Sequence, residues 1–518
     1  MIAGSSRAPV SFRVAAAVLT AALSLFAAEI AFRIVDGYTF APRLFRARPK
    51  PPSVATSSNR KWVDSVDAEY YVRRLPAATG IDRAWFQLDP PAPQKQPIRA
   101  DIERRFKANR GFELSSVYEW NAEYLRRALC TDARLRMQVF SHIDDLLVFQ
   151  PSDGQPYPPF RFLRNTHYPS GLQTNTFGWR GPDIALNKPP HTVRIAFVGA
   201  STTVDPHGDR FSYPEYVGTW LNEWARHRAT PVRFEIINAG REGIDAMSAG
   251  AIVEQELVPL QPDLVVDYEG ANQFWPVNFI DETLPERPLE SARPPSALEQ
   301  HSALAVRIRD GWNRLHEGRE PKKPALRVRW PTDLDEQDPP LDDPRLPVDL
   351  PVTLRAMDRM RTALAGYGGT LVPSSFVFLV SADLVLDRAR DAGVYSFLNE
   401  TLWPFRYAHI RRYADFQNRV FRKYATVHEL PFNDLASVYP ADPRLFQDIL
   451  HMTPAGIKLK AWLVLQQIAP EIERRLSDGR LPRADPGGRT VHPAFAGPPP
   501  TLVRLADVRN TCVAPTVH

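Results

Sequence analysis

Cysteine is almost missing from this chain: Cys130 and Cys512 are the only two in 518 residues, and neither has further potential metal ligands spaced around it. That excludes a cysteine-ligated metal centre. The pair leaves two readings open: one bridge tying the tail to the N-terminal region, or two buried thiols. A basic stripe and any nucleic-acid-binding motif are missing too. The net charge is +5, but the arginines are spread along the chain with acids among them, so no nucleic-acid partner is expected. Carboxylates are nearly excluded from Val14–Phe32, an apolar run of about 19 residues, long enough to span a bilayer, with Glu29 as its one acid. The run is long for a signal-peptide core and lacks a clear small-residue cleavage pattern, so an uncleaved signal anchor is favoured over a cleaved leader. Charge does not set its orientation, because Arg33, Arg43, Arg46, Arg48 and Lys50 offset Arg7 and Arg13.

Proline is abundant, at 50 residues, which implies long extended connections. The sequence divides into an anchor or signal segment (1–36), a Pro, Arg and Ser rich tether (37–62) and a small helical region (63–174) with Trp85, Phe86, Trp120 and Tyr124 as apolar anchors. A main domain (175–476) and a Pro-rich tail (477–518) follow, the tail expected to lie extended over the surface. In the main domain strand and helix patterns alternate. Strands are expected at 193–198, 232–238, 263–268, 375–380 and, more weakly, 426–431. Helices are expected at about 211–228, 246–257, 351–365, 405–424 and 454–476. Such alternation predicts an α/β three-layer sandwich around a parallel sheet of about five strands. Residues 281–349 interrupt it with a Pro, Arg and acid rich insertion carrying one helical patch, which reads as a lid or a solvated excursion.

Four short motifs fall at strand ends. Gly199-Ala-Ser-Thr-Thr203 follows the first strand, Asn238-Ala-Gly240 the second and Gly270-Ala-Asn-Gln273 the third, while Asp448-Ile-Leu-His451 precedes the last helix. Parallel strands put their carboxyl ends along one edge, so the four can converge there. A serine hydroxyl needs a base to become a nucleophile, and His451 oriented by Asp448 supplies the chemistry. The arrangement resembles the SGNH/GDSL hydrolase family over about Asn175–Ile472, less the insertion. Gly-x-Ser-Thr-Thr and the upstream Asn175-Thr-Phe-Gly-Trp-Arg-Gly181 are similar to its membrane-anchored bacterial branch. The resemblance implies a flavodoxin-like fold, Ser201, Asp448 and His451 as catalytic residues, and an oxyanion hole from the Ser201 and Gly240 N–H groups and the Asn272 side chain, without a metal or other cofactor. At 240, a glycine is expected to let substrate approach the backbone. Ala200 and Gln273 depart from the family's Asp at positions that carry none of these roles.

Phe274 and Trp275 are candidates for stacking on a sugar ring, or else pack under the insertion. Asp205, His207 and Asp209 lack a second cluster to make a metal site. Arg180 reads as a structural ion-pair partner ahead of an anion ligand. By resemblance the chain is a membrane-tethered serine esterase acting on O-acyl, favoured as O-acetyl, groups of an envelope or exported glycan, with its domain outside the cytoplasm on a single inner-membrane pass. An O-acyltransferase using the same residues and a non-catalytic envelope scaffold are the alternatives.

Overall fold

The computed structural model describes residues 10–35, 68–92 without 77 and 79, 118–131, 147–150, 158–205 without 169 and 170, 210–274, 301–316, 330–381, 391–493 and 501–504, with isolated residues between and after them. The tether, 37–62, lies outside the described residues. In chain order the first elements are α1 (Val10–Val35), α2 (Ala68–Val72), β1 (Tyr118–Trp120), α3 (Ala122–Thr131), β2 (Leu147–Gln150) and β3 (Phe160–Phe162). Then come β4 (Thr192–Gly199), α4 (Ser201–Val204), α5 (Tyr213–His227), β5 (Arg233–Asn238), α6 (Ala246–Ile252), β6 (Leu264–Tyr268) and α7 (Ala303–His316). The last are α8 (Leu350–Ala365), β7 (Thr370–Pro373), α9 (Ala392–Ser396), α10 (Tyr407–Val427), α11 (Pro454–Ser477) and β8 (Thr501–Arg504). The chain forms two compact units, Met1–Asn59 with Pro285–Lys323, and Arg60–Leu284 with Pro324–His518.

The larger unit is built on a parallel sheet in the order β5-β4-β6-β7. Every residue of β4 is buried, as its unbroken apolar run requires of a strand covered on both faces. Its one cation, Arg194, is neutralised by Glu235 at 2.8 Å and donates to the carbonyls of Leu260 and Ala185. Helices α5 and α11 pack together, as do α6 and α8, so a parallel α/β sheet lies between helical layers, as expected. Helix α5 starts with a capping box, Ser212 to Glu215, and a Pro in its first turn.

Two strand expectations need correcting. The fourth strand is Thr370–Pro373, five residues ahead of the apolar run at 375–380. Asp267 pairs with Pro373 at the end of β6, so the run lies beyond the sheet's edge, where Phe376 N–H donates to Asn418 Oδ1 and Leu379 N–H to the Ile449 carbonyl. The weak fifth strand, expected at 426–431, does not form: α10 runs to Val427, a turn and irregular chain follow, and the Ser374–Asn433 parallel bridge marks its place.

The region ahead of the sheet packs onto the helical layer of α5 and α11 through Phe86, whose ring lies 5.6 Å from Trp462 and 5.9 Å from Trp220. The tail does not simply cover the surface: β8 pairs antiparallel with β2, and buried His492 stacks on Phe177 at 4.5 Å. Cys130 is disulfide-bonded, and Cys512 lies outside the described residues. The insertion's final residues belong to the core, where Leu334, Leu346 and Val348 are buried and Trp330 packs on Tyr413 and Phe416.

Candidate active site

At the carboxyl end of β4 the chain turns through Gly199 at φ +151°. An added Cβ there would meet the Tyr268 carbonyl at 2.3 Å and Thr203 Oγ1 at 2.5 Å, so only glycine fits. Four helical residues follow, with Ser201 first. So short a helix leaves its last carbonyls without helical partners, and side chains satisfy them. Lys460 Nζ donates to Thr202 O at 2.6 Å, Asn238 Nδ2 to Thr203 O at 3.0 Å, and Arg180 to Val204 O at 3.1 Å and also to Asp205 O. The serine is thus held on a clamped turn, partly exposed at its outer lip.

Ser201 Oγ lies 2.8 Å from His451 Nε2. His451 Nδ1 lies 2.7 Å from Asp448 Oδ2, while Asp448 Oδ1 accepts the N–H groups of Leu450 and His451, each at 2.8 Å. An ionised carboxylate at Nδ1 calls for the Nδ1–H tautomer, which leaves Nε2 free to accept the serine proton. The loop is closed by Gln447 N–H to His451 O at 2.7 Å and a Phe446–Met452 bridge, and Thr453 caps α11 directly behind it. Burial pushes the Asp448 carboxyl up, but the charge and hydrogen bonds of His451 and the Leu450 N–H outweigh it, and the carboxyl is held below its ordinary value. For His451, burial pulls the imidazole down and the Asp448 charge and hydrogen bond overcome it, so the ring ionises above its ordinary value.

The three expected oxyanion donors differ in state. The Ser201 N–H donates to no described residue. Asn272 is partly exposed and spends one amide hydrogen on Ile244 O at 2.6 Å. The Gly240 N–H points at Asn238 Oδ1, 3.1 Å away, so it reaches an oxyanion only by sharing or leaving that bond. The glycine itself has a different cause from the one expected. An added Cβ would lie 2.6 Å from Val204 N and 2.9 Å from Thr203, so it is α4, not a ligand, that needs the space.

Two further residues hold the site together. Glu269 is buried, and its carboxylate accepts Ala200 N–H at 3.0 Å on one oxygen and the N–H groups of Ala271 and Asn272, both at 3.2 Å, on the other. It straps the serine turn to the Asn272 loop. Lys460 is buried beneath Ser201's turn, 3.8 Å from Asp205 and over the rings of Tyr213 and Tyr268. The signals were an acid directly before Gly270 and a lysine on an apolar helix face.

Phe274 is a correction. It is 5% exposed, with its ring 4.7 Å from Phe378, so its faces are taken by protein and it offers no sugar platform. Trp275, His207 and Asp209 lie outside the described residues. Arg180 is buried in an ion pair with Glu215 at 3.2 Å, the structural role expected of it.

No family model matches the sequence, and no curated protein matches it. Similar solved structures include the acetyl xylan esterase AlAXEase, 13% identical over 52% of this chain and 97% of that one, with a TM-score of 0.29. An acetyl xylan esterase from Geobacillus stearothermophilus is 14% identical over 53% and 94%, at 0.29. A GDSL-like lipase described as putative, from Parabacteroides merdae, is 16% identical over 56% and 99%, at 0.29. At such scores these likenesses decide neither family nor activity.

Proposed function

We propose that this chain is a serine esterase of the SGNH/GDSL type, tethered to a membrane by α1, that cleaves O-acyl esters through an acyl-enzyme. The observation that carries the reading is the continuous line from Ser201 Oγ to His451 Nε2 at 2.8 Å and from His451 Nδ1 to Asp448 Oδ2 at 2.7 Å. Ser201 Oγ attacks the acyl carbonyl as its proton passes to His451 Nε2, and Asp448 stabilises the imidazolium. Negative charge on the carbonyl oxygen is met by the Ser201 N–H and the second amide hydrogen of Asn272. His451 then protonates the departing alkoxide. Water adds to the acyl-serine, gives its proton to His451, and frees the carboxylic acid and the serine.

Helix α1 supports the tether: it has 26 residues, about 39 Å at 1.5 Å per residue, with a hydropathy of 2.0 over its most apolar stretch. With the body outside the cytoplasm, the substrates within reach are O-acetylated glycans of the envelope. Acetate release from acetylated oligosaccharides by the full chain, lost in Ser201→Ala, tests this. Acetyl transfer to a sugar hydroxyl without acetate release would replace the esterase by a transferase.

A further inference from the structure

Glu29 is the one carboxylate in the apolar run of α1, six residues before its last residue, Val35, or about 9 Å along the axis. A lone carboxylate inside a membrane span is costly unless it is paired, so it needs partners. Here the partners come from the insertion. Glu29 accepts Ser302 Oγ–H at 2.7 Å, Ala303 N–H at 3.0 Å and Leu304 N–H at 2.9 Å, and Arg33 Nε lies 2.5 Å away. Those amides open α7, where the helix dipole favours a negative charge. Arg33 is buried and donates to the His301 carbonyl at 2.6 Å, and the Arg307 guanidinium sits over the Phe32 ring. The start of α7 is therefore fixed to the last turns of α1.

Helix α7 is too polar to cross a bilayer, since Arg307, Arg309, Asp310 and Arg314 fall within its 14 residues. Yet Ile308 and Trp312, one turn apart on a single face, are 62% and 63% exposed, beside a helix whose Ile34 and Val35 are 67% and 72% exposed. An amphipathic helix with basic residues and a tryptophan, fixed at the end of an apolar span, has the chemistry of the lipid headgroup boundary.

We propose that α7 is an interfacial helix, lying in the surface of the membrane that α1 crosses, with its Ile308–Trp312 face in lipid and its depth set by Glu29. This rests on reading α1 as a span. The occupant is the bilayer itself, and it makes the insertion a second membrane contact of the chain.

The test uses the full chain reconstituted in phosphatidylcholine–phosphatidylglycerol vesicles, with brominated lipids as quenchers. Subtracting the emission of Trp312→Phe from that of the native chain isolates one of the 11 tryptophans. The expected result is a Trp312 contribution quenched at least about twofold more by shallow than by central bromines, as burial of ~5–10 Å requires. In Glu29→Ala, compared with Glu29→Ala/Trp312→Phe, the chain should still float with vesicles but lose that preference. A chain that does not float overturns the span and this proposal with it. One that floats while Trp312 escapes lipid quenching overturns the proposal alone, and an unchanged Glu29→Ala difference overturns the role of Glu29.

Discussion

Glu269→Gln keeps the shape of the side chain that joins the serine turn to the Asn272 loop and removes its charge. In the native chain one oxygen accepts Ala200 N–H at 3.0 Å and the other accepts Ala271 and Asn272 N–H at 3.2 Å. A glutamine offers one acceptor oxygen, so either Ala200 N–H or the other pair must face an NH2 group. Losing one hydrogen bond to a charged acceptor costs ~1.5–3 kcal/mol. If that is felt where Ser201 and Asn272 meet the developing oxyanion, kcat falls on the order of 10- to 100-fold, with KM changed less than about twofold. The pH profile separates this from a general loss of fold. Burial pushes Glu269 up to about 7, against the opposing N–H groups of Asn272, Gly270 and Ala271, and Asp245 adds to the rise. Glu269 in turn raises the neighbouring Asp267. His451 also ionises above its ordinary value. Turnover needs His451 unprotonated and is faster with Glu269 ionised, so the acid limb of log kcat/KM should be steeper than one proton in the native enzyme and fall to a one-proton slope in Glu269→Gln. Steady-state kinetics on a soluble acetyl ester between about pH 5 and 9, with thermal unfolding alongside, measures both. Native kcat with an unchanged acid limb, or a loss seen only in the unfolding midpoint, would refute the strap.

Gly240→Ala places a Cβ 2.6 Å from Val204 N, an overpacking cost of ~1–3 kcal/mol. Because the displaced element carries Ser201, ester turnover should fall further than thermal stability does, and native turnover would contradict the packing. Asp267 is buried, with Oδ1 lacking a partner among the described residues, and burial followed by the nearby Glu269 pushes it up to about 8. A carboxyl whose folded value lies above its unfolded one stabilises the fold below about pH 4, and the benefit is lost as pH rises through the folded value. The native unfolding midpoint should therefore drop between about pH 5 and 8, and Asp267→Asn should flatten that drop and be the more stable form at the upper end. Equal pH dependence in the two proteins would remove Asp267 from the account.

Much of the sheet was legible because β4 and β6 are buried on both faces and read as apolar runs with turn residues after them. Their ends, together with that of β5, then fixed where Ser201, Gly240 and Asn272 would fall. The run at 375–380 misled because apolar periodicity reports burial, not ladder pairing. Phe376 and Leu379 are buried, but their backbone bonds go to Asn418 and to the loop carrying His451. Glu269 and Lys460 escaped notice for a related reason. A single charged residue in an apolar element looks like an interruption until its partners are known, and those lie 69 and 258 residues away in sequence. The seating of α7 on Glu29 joins segments more than 270 residues apart, and no local pattern reports such a contact.

The central claim is that Ser201 is an activated nucleophile. Labelling the full chain with a fluorophosphonate and reading the modified peptide by mass spectrometry tests it most directly. The account predicts a single adduct on Ser201, absent in Ser201→Ala and strongly slowed in His451→Gln. Equal labelling of the native chain and Ser201→Ala would contradict it.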